Sequence, residues 1–474
     1  MDAVCRKRGI AISFSLLVLF IVAASCSMPQ LGTSEAYTAV PLLPGITPDD
    51  PVPVSTESAE SKALFEEMCE NQQFRPVLNF EIRQIPGMDE PAPREPFFDP
   101  VFNSCMVRAT DRTSDLAAGD SSGGLKNEYS RVQSFNSDGS RLIVMTTEGN
   151  WYLYDANSLK PLGQLPIGHE PRWDSDDPDL LYYTEDTRLM SHRISNGQQN
   201  IVHEFADDFP GQDLSAVWMK FEGSPSFDGR YWGLMAEDQN WMTVALLVYD
   251  LETEQIVALR ETRPSEIDSV TISPLANYYL AYFDNYCEPG LLGSDEKPCG
   301  LMVYDRQLEN GRGLLRIVGH SDPALDVQGD EVLVYQDIDS DNIAMLDLAS
   351  GEIIRLLPID FSHSNLGFHF SGRSSRSPGW ALVSIYNGSQ PSSTWMDDQI
   401  MAVELKDDGR IVRLVHTHSV YDENIEQDYW AEPHASVNQD FTRIVFTSNW
   451  GRSGTDEVDM YMINLPQDWV SELP

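Results

Sequence analysis

Basic side chains are scarce in this chain of 474 residues. Lysine and arginine number 32 against 74 aspartates and glutamates, so the formal net charge is −42 and the isoelectric point is near 4.3. A surface this negative repels a phosphate backbone, which argues against nucleic acid as a partner. It also disfavours polyanionic ligands wherever no local basic pocket overrides the field.

The chain also lacks an apolar run long enough to span a membrane near its N-terminus. The run from Ile10 to Ala24 follows the basic segment Arg6 to Arg8, and a transmembrane helix needs about 20 apolar residues. A basic segment before an apolar run of this length is typical of a signal peptide. We therefore predict a signal peptide at 1–25 and an exported protein.

The end of the apolar run resembles the lipobox of bacterial lipoproteins. It reads Ala23-Ala24-Ser25-Cys26, and the resemblance implies that Cys26 carries a lipid. Ser27 resembles the residues that permit sorting to an outer membrane. The alternative is an ordinary signal peptide cut near the same place. Residues 26–56, rich in proline, threonine and serine, are expected to form a flexible tether, and 57–94 a helix and lead-in.

Cysteine is rare as well, and no Cys-X-X-Cys motif suggests zinc or redox chemistry. Six are present, one of them in the predicted signal peptide and one at the lipidation position. The other four are Cys69, Cys105, Cys287 and Cys299. An even number in an oxidising compartment predicts two disulfides. Cys287 and Cys299 bracket one loop, so we expect them to pair, which leaves Cys69 for Cys105.

Helical periodicity is almost absent beyond residue 72, and a strand pattern recurs instead. An apolar strand ending in Tyr-Asp or a relative occurs seven times: YLYD (152–155), LMSHR (189–193), LLVYD (246–250), LMVYD (301–305), AMLD (344–347), MAVE (401–404) and MYMIN (460–464). A turn and a strand precede each copy, and another strand follows it. Four strands in about 40–60 residues is the period of a β-propeller blade. We predict an all-β, seven-bladed β-propeller over residues 95–470, closed by the strand in 99–110.

The units of a strand, a turn such as Asn136-Ser-Asp-Gly139 and an apolar strand resemble known propellers. They are similar to the WD-like repeats of the periplasmic Tol-system propeller and to the seven-bladed oligogalacturonate lyases. The lyase resemblance implies histidines around a bound metal at the channel mouth. It also implies a base that removes a proton next to a uronate carboxylate. Those lyases are mostly cytoplasmic, whereas this chain is predicted to be exported.

Innermost strands line the channel of a propeller, and their first residues crowd around one mouth. Polar side chains occur at these positions in several blades. The candidate ligands of a divalent metal, Mn or Ca, are His320, Asp322, His363 and His434. The candidate ligand-binding residues are Arg131, His169, Arg172, Lys220, Trp430 and Trp450. Imidazoles with a carboxylate suit Mn or Zn, and flat aromatic rings stack on sugars. Alternatively, the histidines cap strands or bond to neighbouring blades, and the tryptophans pack between blades.

A second candidate for calcium lies in the alternating aspartates Asp337, Asp339 and Asp341. A calcium loop of this type needs a glycine at its sixth position and a glutamate at its twelfth. Asn342 and Leu348 stand there instead, which favours a solvated turn.

Three functional hypotheses follow. The first, which we favour, is a lipid-anchored envelope propeller that binds a glycan or a protein at its channel mouth. The second is a metal-assisted polysaccharide lyase acting on uronates. The third is an envelope scaffold similar to the Tol-system propeller. Fold alone does not choose between them, because function lies in the site that a fold carries.

Overall fold

A computed structural model describes Cys69 and residues 74–473. The predicted signal peptide, Cys26, the tether and most of the predicted N-terminal helix lie outside the described residues. Within the described part of the chain, 29 strands form seven antiparallel sheets, six with four strands and one with five. This arrangement confirms the predicted seven-bladed β-propeller.

The strands of each blade follow one another along the chain. Blade 1 consists of β3 (Leu125–Lys126), β4 (Arg141–Thr146), β5 (Trp151–Asp155) and β6 (Pro161–Leu165). Blade 2 consists of β7 (His169–Trp173), β8 (Leu180–Glu185), β9 (Arg188–Arg193) and β10 (Gln198–Glu204). Blade 3 consists of β11 (Leu214–Trp218), β12 (Tyr231–Asp238), β13 (Thr243–Asp250) and β14 (Gln255–Ser265). Blade 4 consists of β15 (Ile267–Ile272), β16 (Tyr278–Phe283), β17 (Leu301–Asp305) and β18 (Arg312–Leu315).

The remaining blades complete the ring. Blade 5 consists of β19 (Ser321–Leu325), β20 (Glu331–Asp337), β21 (Asn342–Asp347) and β22 (Ile353–Pro358). Blade 6 consists of β23 (Gly367–Ser371), β24 (Trp380–Tyr386), β25 (Gln399–Glu404) and β26 (Ile411–His416). Blade 7 consists of β27 (Ser436–Val437), β28 (Arg443–Ser448), β29 (Asp459–Asn464), β2 (Cys105–Arg108) and β1 (Phe97–Phe98). Short 3-10 helices occupy Phe205–Asp208, Glu426–Ala431 and Trp469–Glu472.

The seven apolar repeats of the sequence are the third strands of the blades, counted from the channel. These strands are buried on both faces, because each sheet packs against two neighbours, so they are nearly continuous in apolar residues. The outermost strands of most blades differ, although β26 is buried throughout. In β14 the residues from Gln255 alternate largely between exposed and partly buried positions, as expected of a strand with one face in solvent.

Polar turns join the innermost strands to the second strands. In blade 1, the amide of Gly139 donates to the carbonyl of Asn136 at 3.0 Å, and the Asn136 side chain accepts from the amide of Arg141 at 2.9 Å. Gly139 has a φ of 70°, a left-handed conformation that glycine adopts without steric cost. These turns fix the register of each blade.

The ring closes through β2, which comes from the N-terminal side of the propeller and pairs antiparallel with β29, Val107 opposite Met462. Cys105 in β2 is bonded to Cys69, as predicted from the cysteine pattern. Beside the closing strand, the Asp459 carboxylate is fully buried and accepts from Arg108 at 2.7 Å and from Arg112. The closure between β2 and β29 is therefore both hydrogen-bonded and electrostatic, and the disulfide ties Cys69 to the closing strand.

The second predicted disulfide, Cys287–Cys299, is also present. It staples the connection between β16 and β17, a loop that exposes Leu291 and Leu292. Two disulfides are consistent with an exported protein. None of the helices in the described part of the chain has the length and apolar character that crossing a bilayer requires.

Candidate metal centre in the central pocket

The innermost strand of blade 6 carries a histidine into the centre of the ring. In β23, Phe368 and Phe370 belong to a buried apolar cluster between the blades. Successive side chains of a strand point to opposite faces, so His369 lies away from that cluster. Its ring centroid is 4.3 Å from that of His320 in blade 5 and 4.2 Å from that of His434 in blade 7. Three blades thus bring three imidazoles together.

A carboxylate completes the group. Nε2 of His369 lies 2.7 Å from Oε2 of Glu432, and Nε2 of His434 lies 3.4 Å from the same oxygen. Potential ligand atoms of His369, Glu432 and His434 all lie within 4.8 Å of one another, and all three residues are buried. Among the residues that the structure describes, this is the one group of three or more histidine, cysteine or acidic side chains with such a geometry.

The backbone of His434 is held in an uncommon conformation. Its φ is 43°, in the left-handed region that non-glycine residues rarely adopt and that recurs at functional sites. Its carbonyl accepts from Nδ2 of Asn127 at 2.6 Å, and Oδ1 of Asn127 accepts from the Thr447 hydroxyl at 2.9 Å. Blade 1 therefore fixes the histidine of blade 7.

The three imidazoles are neutral at physiological pH. Burial holds the pKa of His369, of His434 and of His320 well below the ordinary value, and the positive charge of Arg131 lowers the pKa of His369 and of His320 further. Among the described residues, Nδ1 of His369 and Nδ1 of His434 have no hydrogen-bond partner although both are buried. Neutral imidazoles with unused nitrogens beside a carboxylate are the donor set of a transition-metal site, so the residues present fit a metal ion.

His320 is the partly exposed member of the group. Its Nδ1 lies 2.9 Å from the hydroxyl of Tyr129. The ring of Tyr129 also contacts His369 and His434, with centroids 5.4 and 4.9 Å apart. A hydrogen bond at one ring nitrogen fixes the orientation of an imidazole, so Tyr129 positions His320 at the edge of the pocket.

Two buried cations adjoin the histidines. Nζ of Lys126 donates to the carbonyl of Glu128 at 2.8 Å and lies 5.9 Å from the ring of Trp430. Burial lowers the pKa of Lys126 to about 8, partly offset by Glu128 and Glu432. Arg131 pairs with Glu222 at 3.0 Å and lies over the ring of Tyr129. Each of the two buried cations therefore lies beside at least one carboxylate.

The other candidate metal ligands lie elsewhere. His363 is exposed in the loop before β23, where Nδ1 contacts the hydroxyl of Ser362 at 2.7 Å and Asp360 at 3.3 Å. Asp322 is buried, accepts from the amide of Gly372 at 2.6 Å and pairs with Arg373 at 3.3 Å. Neither residue is in the histidine group. The sequence predicts His363 as the metal ligand from blade 6, but His369 is the histidine of that blade that lies beside His320 and His434.

The candidate ligand-binding residues separate into two sets. Arg131 and Trp430 adjoin the pocket. Arg172 is committed to Glu128 at 2.8 Å and to backbone carbonyls, and Lys220 bonds to Glu237 and to the carbonyl of Ile267. His169 is exposed at the start of β7 and contacts Phe221 rather than the other histidines.

Trp450 does not offer a ring face to a ligand. It is 8% exposed, and its ring stacks on those of His418 and Tyr461 with centroids 4.2 and 4.8 Å apart. Its indole N–H donates to the carbonyl of Met88 at 3.2 Å. The expectation that Trp450 stacks on a sugar therefore finds no support, and the interpretation as packing between elements fits its surroundings.

Two of the alternating aspartates of blade 5, Asp337 and Asp339, are engaged in contacts within the protein. Asp339 pairs with Arg316, and Asp337 accepts from the amide of Asp339 at 3.2 Å. These contacts are those of a β-hairpin turn between β20 and β21, which agrees with the interpretation as a turn.

The fold and the pocket define a seven-bladed propeller with a histidine-rich centre. No protein-family model matches the chain, and no curated protein matches it in sequence. Among solved structures, it is similar to an oligogalacturonate lyase in complex with manganese, with 16% sequence identity, a TM-score of 0.54, and coverage of 79% of this chain and 97% of that one. It is also similar to an oligogalacturonate lyase from Vibrio parahaemolyticus, with 12% identity, a TM-score of 0.55 and the same coverage. At such identities the likeness establishes the fold alone.

Proposed function

We propose that the central pocket binds a divalent transition-metal ion through His369, Glu432 and His434, and that a glycan carrying a carboxylate binds beside it. The observation that carries this proposal is the buried group of neutral imidazoles and one carboxylate with ligand atoms within 4.8 Å. Imidazole nitrogens favour Mn or Zn over Ca, which prefers ligands that are all oxygen. When bound, the ion would supply positive charge that attracts and polarises a carboxylate.

The residues around the metal group suit an acidic sugar. Arg131 and Lys126 are cationic groups in a pocket of low dielectric, where charge attracts more strongly than at the surface. Trp430 is partly exposed next to Lys126, so its ring can pack against a pyranose. The similar solved structures are named as oligogalacturonate lyases, which supports a uronate as the ligand class.

Calorimetric titration of the metal-free protein with Mn²⁺ tests the metal site. We expect one ion to bind, and His369→Gln or His434→Gln to weaken binding by about a hundredfold or more, since even the partners of metal ligands contribute 10–100-fold. His363→Gln is a matched control, because it makes the same change at an exposed histidine of the same region. Equal Mn²⁺ affinity in all four proteins would overturn the proposal.

A second candidate function is cleavage of the bound uronate by β-elimination, and the position of His320 favours it. This neutral imidazole is held by Tyr129 and adjoins His369. As a base, it would take the proton next to the uronate carboxylate, after which the C–O bond to the leaving sugar breaks, a C=C bond forms and the leaving oxygen takes up a proton. His320→Gln should then abolish formation of the unsaturated product from oligogalacturonate and retain Mn²⁺ binding. Product formation at the wild-type rate would exclude His320 as the base.

We further propose that the protein acts in the cell envelope, held to an outer membrane by a lipid on Cys26. The lipobox-like sequence and the two disulfides support this location. An envelope protein is an alternative ligand for the same mouth, as is a scaffold role like that of the Tol-system propeller. Affinity capture from envelope extracts, with the wild type and His369→Gln compared, separates these alternatives. A protein that both variants capture equally would indicate a scaffold role.

A further inference from the structure

A row of aromatic rings lies on the rim formed by blades 2 and 3. We call it the aromatic strip, and it consists of His169, Phe221, Trp218 and Trp241. Successive ring centroids are 5.7, 5.3 and 5.7 Å apart. Trp241 is 50% exposed, and His169 is exposed as well. Trp218 and Phe221 between them are partly exposed, and a contiguous exposed apolar patch is common at binding sites.

The aromatic strip lies at the same end of the ring as the metal pocket. His169 is the first residue of an innermost strand, and Trp241 lies in the connection between the second and third strands of blade 3. In an antiparallel blade these two positions share an edge. Phe221 precedes Glu222, which pairs with Arg131, and Arg131 lies over Tyr129 of the pocket. The strip is thus linked to the buried metal group through Glu222, Arg131 and Tyr129.

Buried carboxylates hold the strip in place. The indole N–H of Trp218 donates to Glu237 at 2.9 Å, and Lys220 donates to the same carboxylate at 3.3 Å. Glu170 accepts from the amide of Phe221. Glu237 and Glu170 are both fully buried. A buried carboxylate is costly unless it is hydrogen-bonded, and here the hydrogen bonds that satisfy it are the ones that orient aromatic residues.

The backbone of the strip is also strained. Lys220, Phe221 and Trp241 have φ values of 61°, 69° and 59°. Bulky residues in the left-handed region cost about 1–3 kcal/mol each and persist where the surroundings impose them, commonly at ligand-binding sites. At Trp241 the turn between β12 and β13 supplies this conformation, since Asp186 and Asp341 have φ values of 53° and 52° in the corresponding turns of blades 2 and 5.

We propose that the aromatic strip binds neutral pyranose units of a glycan chain that extends out of the central pocket. Neighbouring rings of the strip are inclined to one another by 83°, 65° and 40°, so the half-exposed ring of Trp241 offers the face for the C–H side of a sugar. Acidic groups outnumber basic ones beside the strip: Asp238 near Trp241 and the neighbouring Glu222, Asp268 and Asp284 stand against Lys220 and Arg131. Carboxylates accept hydrogen bonds from sugar hydroxyls and repel the carboxylate of a uronate. The strip therefore selects neutral sugars, and it does so without the metal site.

Calorimetric titration with three neutral hexasaccharides, cellohexaose, mannohexaose and xylohexaose, and with hexagalacturonate tests the proposal. We expect at least one neutral hexasaccharide to bind and Trp241→Ala to weaken that binding about thirtyfold, the effect of losing one aromatic hot spot. Because Trp241 is half exposed, this variant should keep the melting temperature of the wild type. Ile201→Ala, at an equally exposed apolar position on the outer strand β10, is the matched control and should bind as the wild type does.

The outcomes also separate this proposal from the metal site. Neutral-sugar binding should be unchanged in His369→Gln and in protein treated with a chelator. If no neutral hexasaccharide binds, or if Trp241→Ala binds as well as the wild type, the proposal is overturned. Tighter binding of hexagalacturonate than of every neutral hexasaccharide, with the same loss in Trp241→Ala, would also overturn it, because the strip would then take acidic sugars.

Discussion

Replacing Asp459 by asparagine should loosen the closure of the ring. The Asp459 carboxylate is fully buried and accepts from Arg108 at 2.7 Å, from the hydroxyl of Thr110 at 2.8 Å and from the backbone and side chain of Arg112. The asparagine side chain would keep the volume and one acceptor oxygen but remove the charge. Two buried guanidinium groups would then lose their shared partner.

The magnitude follows from the burial of the pair. Removing one partner of a buried ion pair typically costs about 3–5 kcal/mol. Glu90 remains as a second partner, 2.9 Å from Arg112 and 3.6 Å from Arg108, so we expect the lower end, about 3 kcal/mol. Burial raises the pKa of Asp459 to about 6, partly offset by both arginines, so the comparison belongs above about pH 7, where the carboxylate is ionised.

Urea unfolding followed by tryptophan fluorescence measures the effect. Asp339→Asn is the matched control, because Asp339 also pairs with an arginine but is half exposed, and an exposed pair contributes about 0–1 kcal/mol. If Asp459→Asn lowers the free energy of unfolding by less than about 1 kcal/mol, as the control does, the ion pairs of Asp459 do not stabilise β2 beyond its backbone hydrogen bonds to β29, and the reasoning is refuted.

Three further predictions concern pH, the loop staple and the anchor. Burial lowers the pKa of His416 to about 3 from 6.5, so below pH 6.5 the unfolded chain takes up a proton that the folded protein does not. The free energy of unfolding of the wild type should therefore fall, relative to that of His416→Gln, by about 1.4 kcal/mol per pH unit down to about pH 4. Urea unfolding measures both stability curves, and parallel curves would contradict this. Replacing both Cys287 and Cys299 by serine should lower the free energy of unfolding by about 3 kcal/mol or less, because this disulfide closes a short loop. The Mn²⁺ affinity should stay unchanged, and a changed affinity would show that the loop reaches the pocket. Cys26→Ala should release the protein from the membrane fraction, and retention after a salt wash would contradict lipid anchoring.

Most of the fold was predictable because its strands are strongly marked. The apolar repeats from YLYD at 152–155 onward are buried on both faces, so their sequences are almost wholly apolar. Turns such as Asn136 to Gly139 have the residues that their geometry needs. The sequence predicts that the strand of residues 99–110 closes the ring, and β2 does so by pairing with β29.

The site was predictable only in part, because a strand boundary was misplaced. His320 and His434 stand just before innermost strands, where the sequence analysis sought them. In blade 6 the strand begins at Gly367, four residues after His363, and the histidine at the centre is His369. The alternation Phe368-His369-Phe370 carries the signal that identifies it, since a polar residue between two apolar ones in a strand faces the opposite side.

The rim residues were missed for a different reason. Trp218, Phe221 and Trp241 lie far apart in sequence from any histidine of the pocket, and the left-handed backbone of Phe221 and Trp241 has no simple sequence signal. The left-handed turn at Lys220 and Phe221, just after β11, places Phe221 beside Trp218 and His169. Such positions depend on contacts between blades, here from Glu170 of blade 2.

Anomalous X-ray diffraction from crystals grown with Mn²⁺ tests the central claim most directly. We expect one strong anomalous peak in the central pocket, about 2 Å from ligand atoms of His369, Glu432 and His434. We also expect that the peak disappears in His369→Gln crystals grown in the same way and persists in His363→Gln crystals. A peak elsewhere, such as at the turn of Asp337 to Asp341, with the central pocket empty, would contradict the claim.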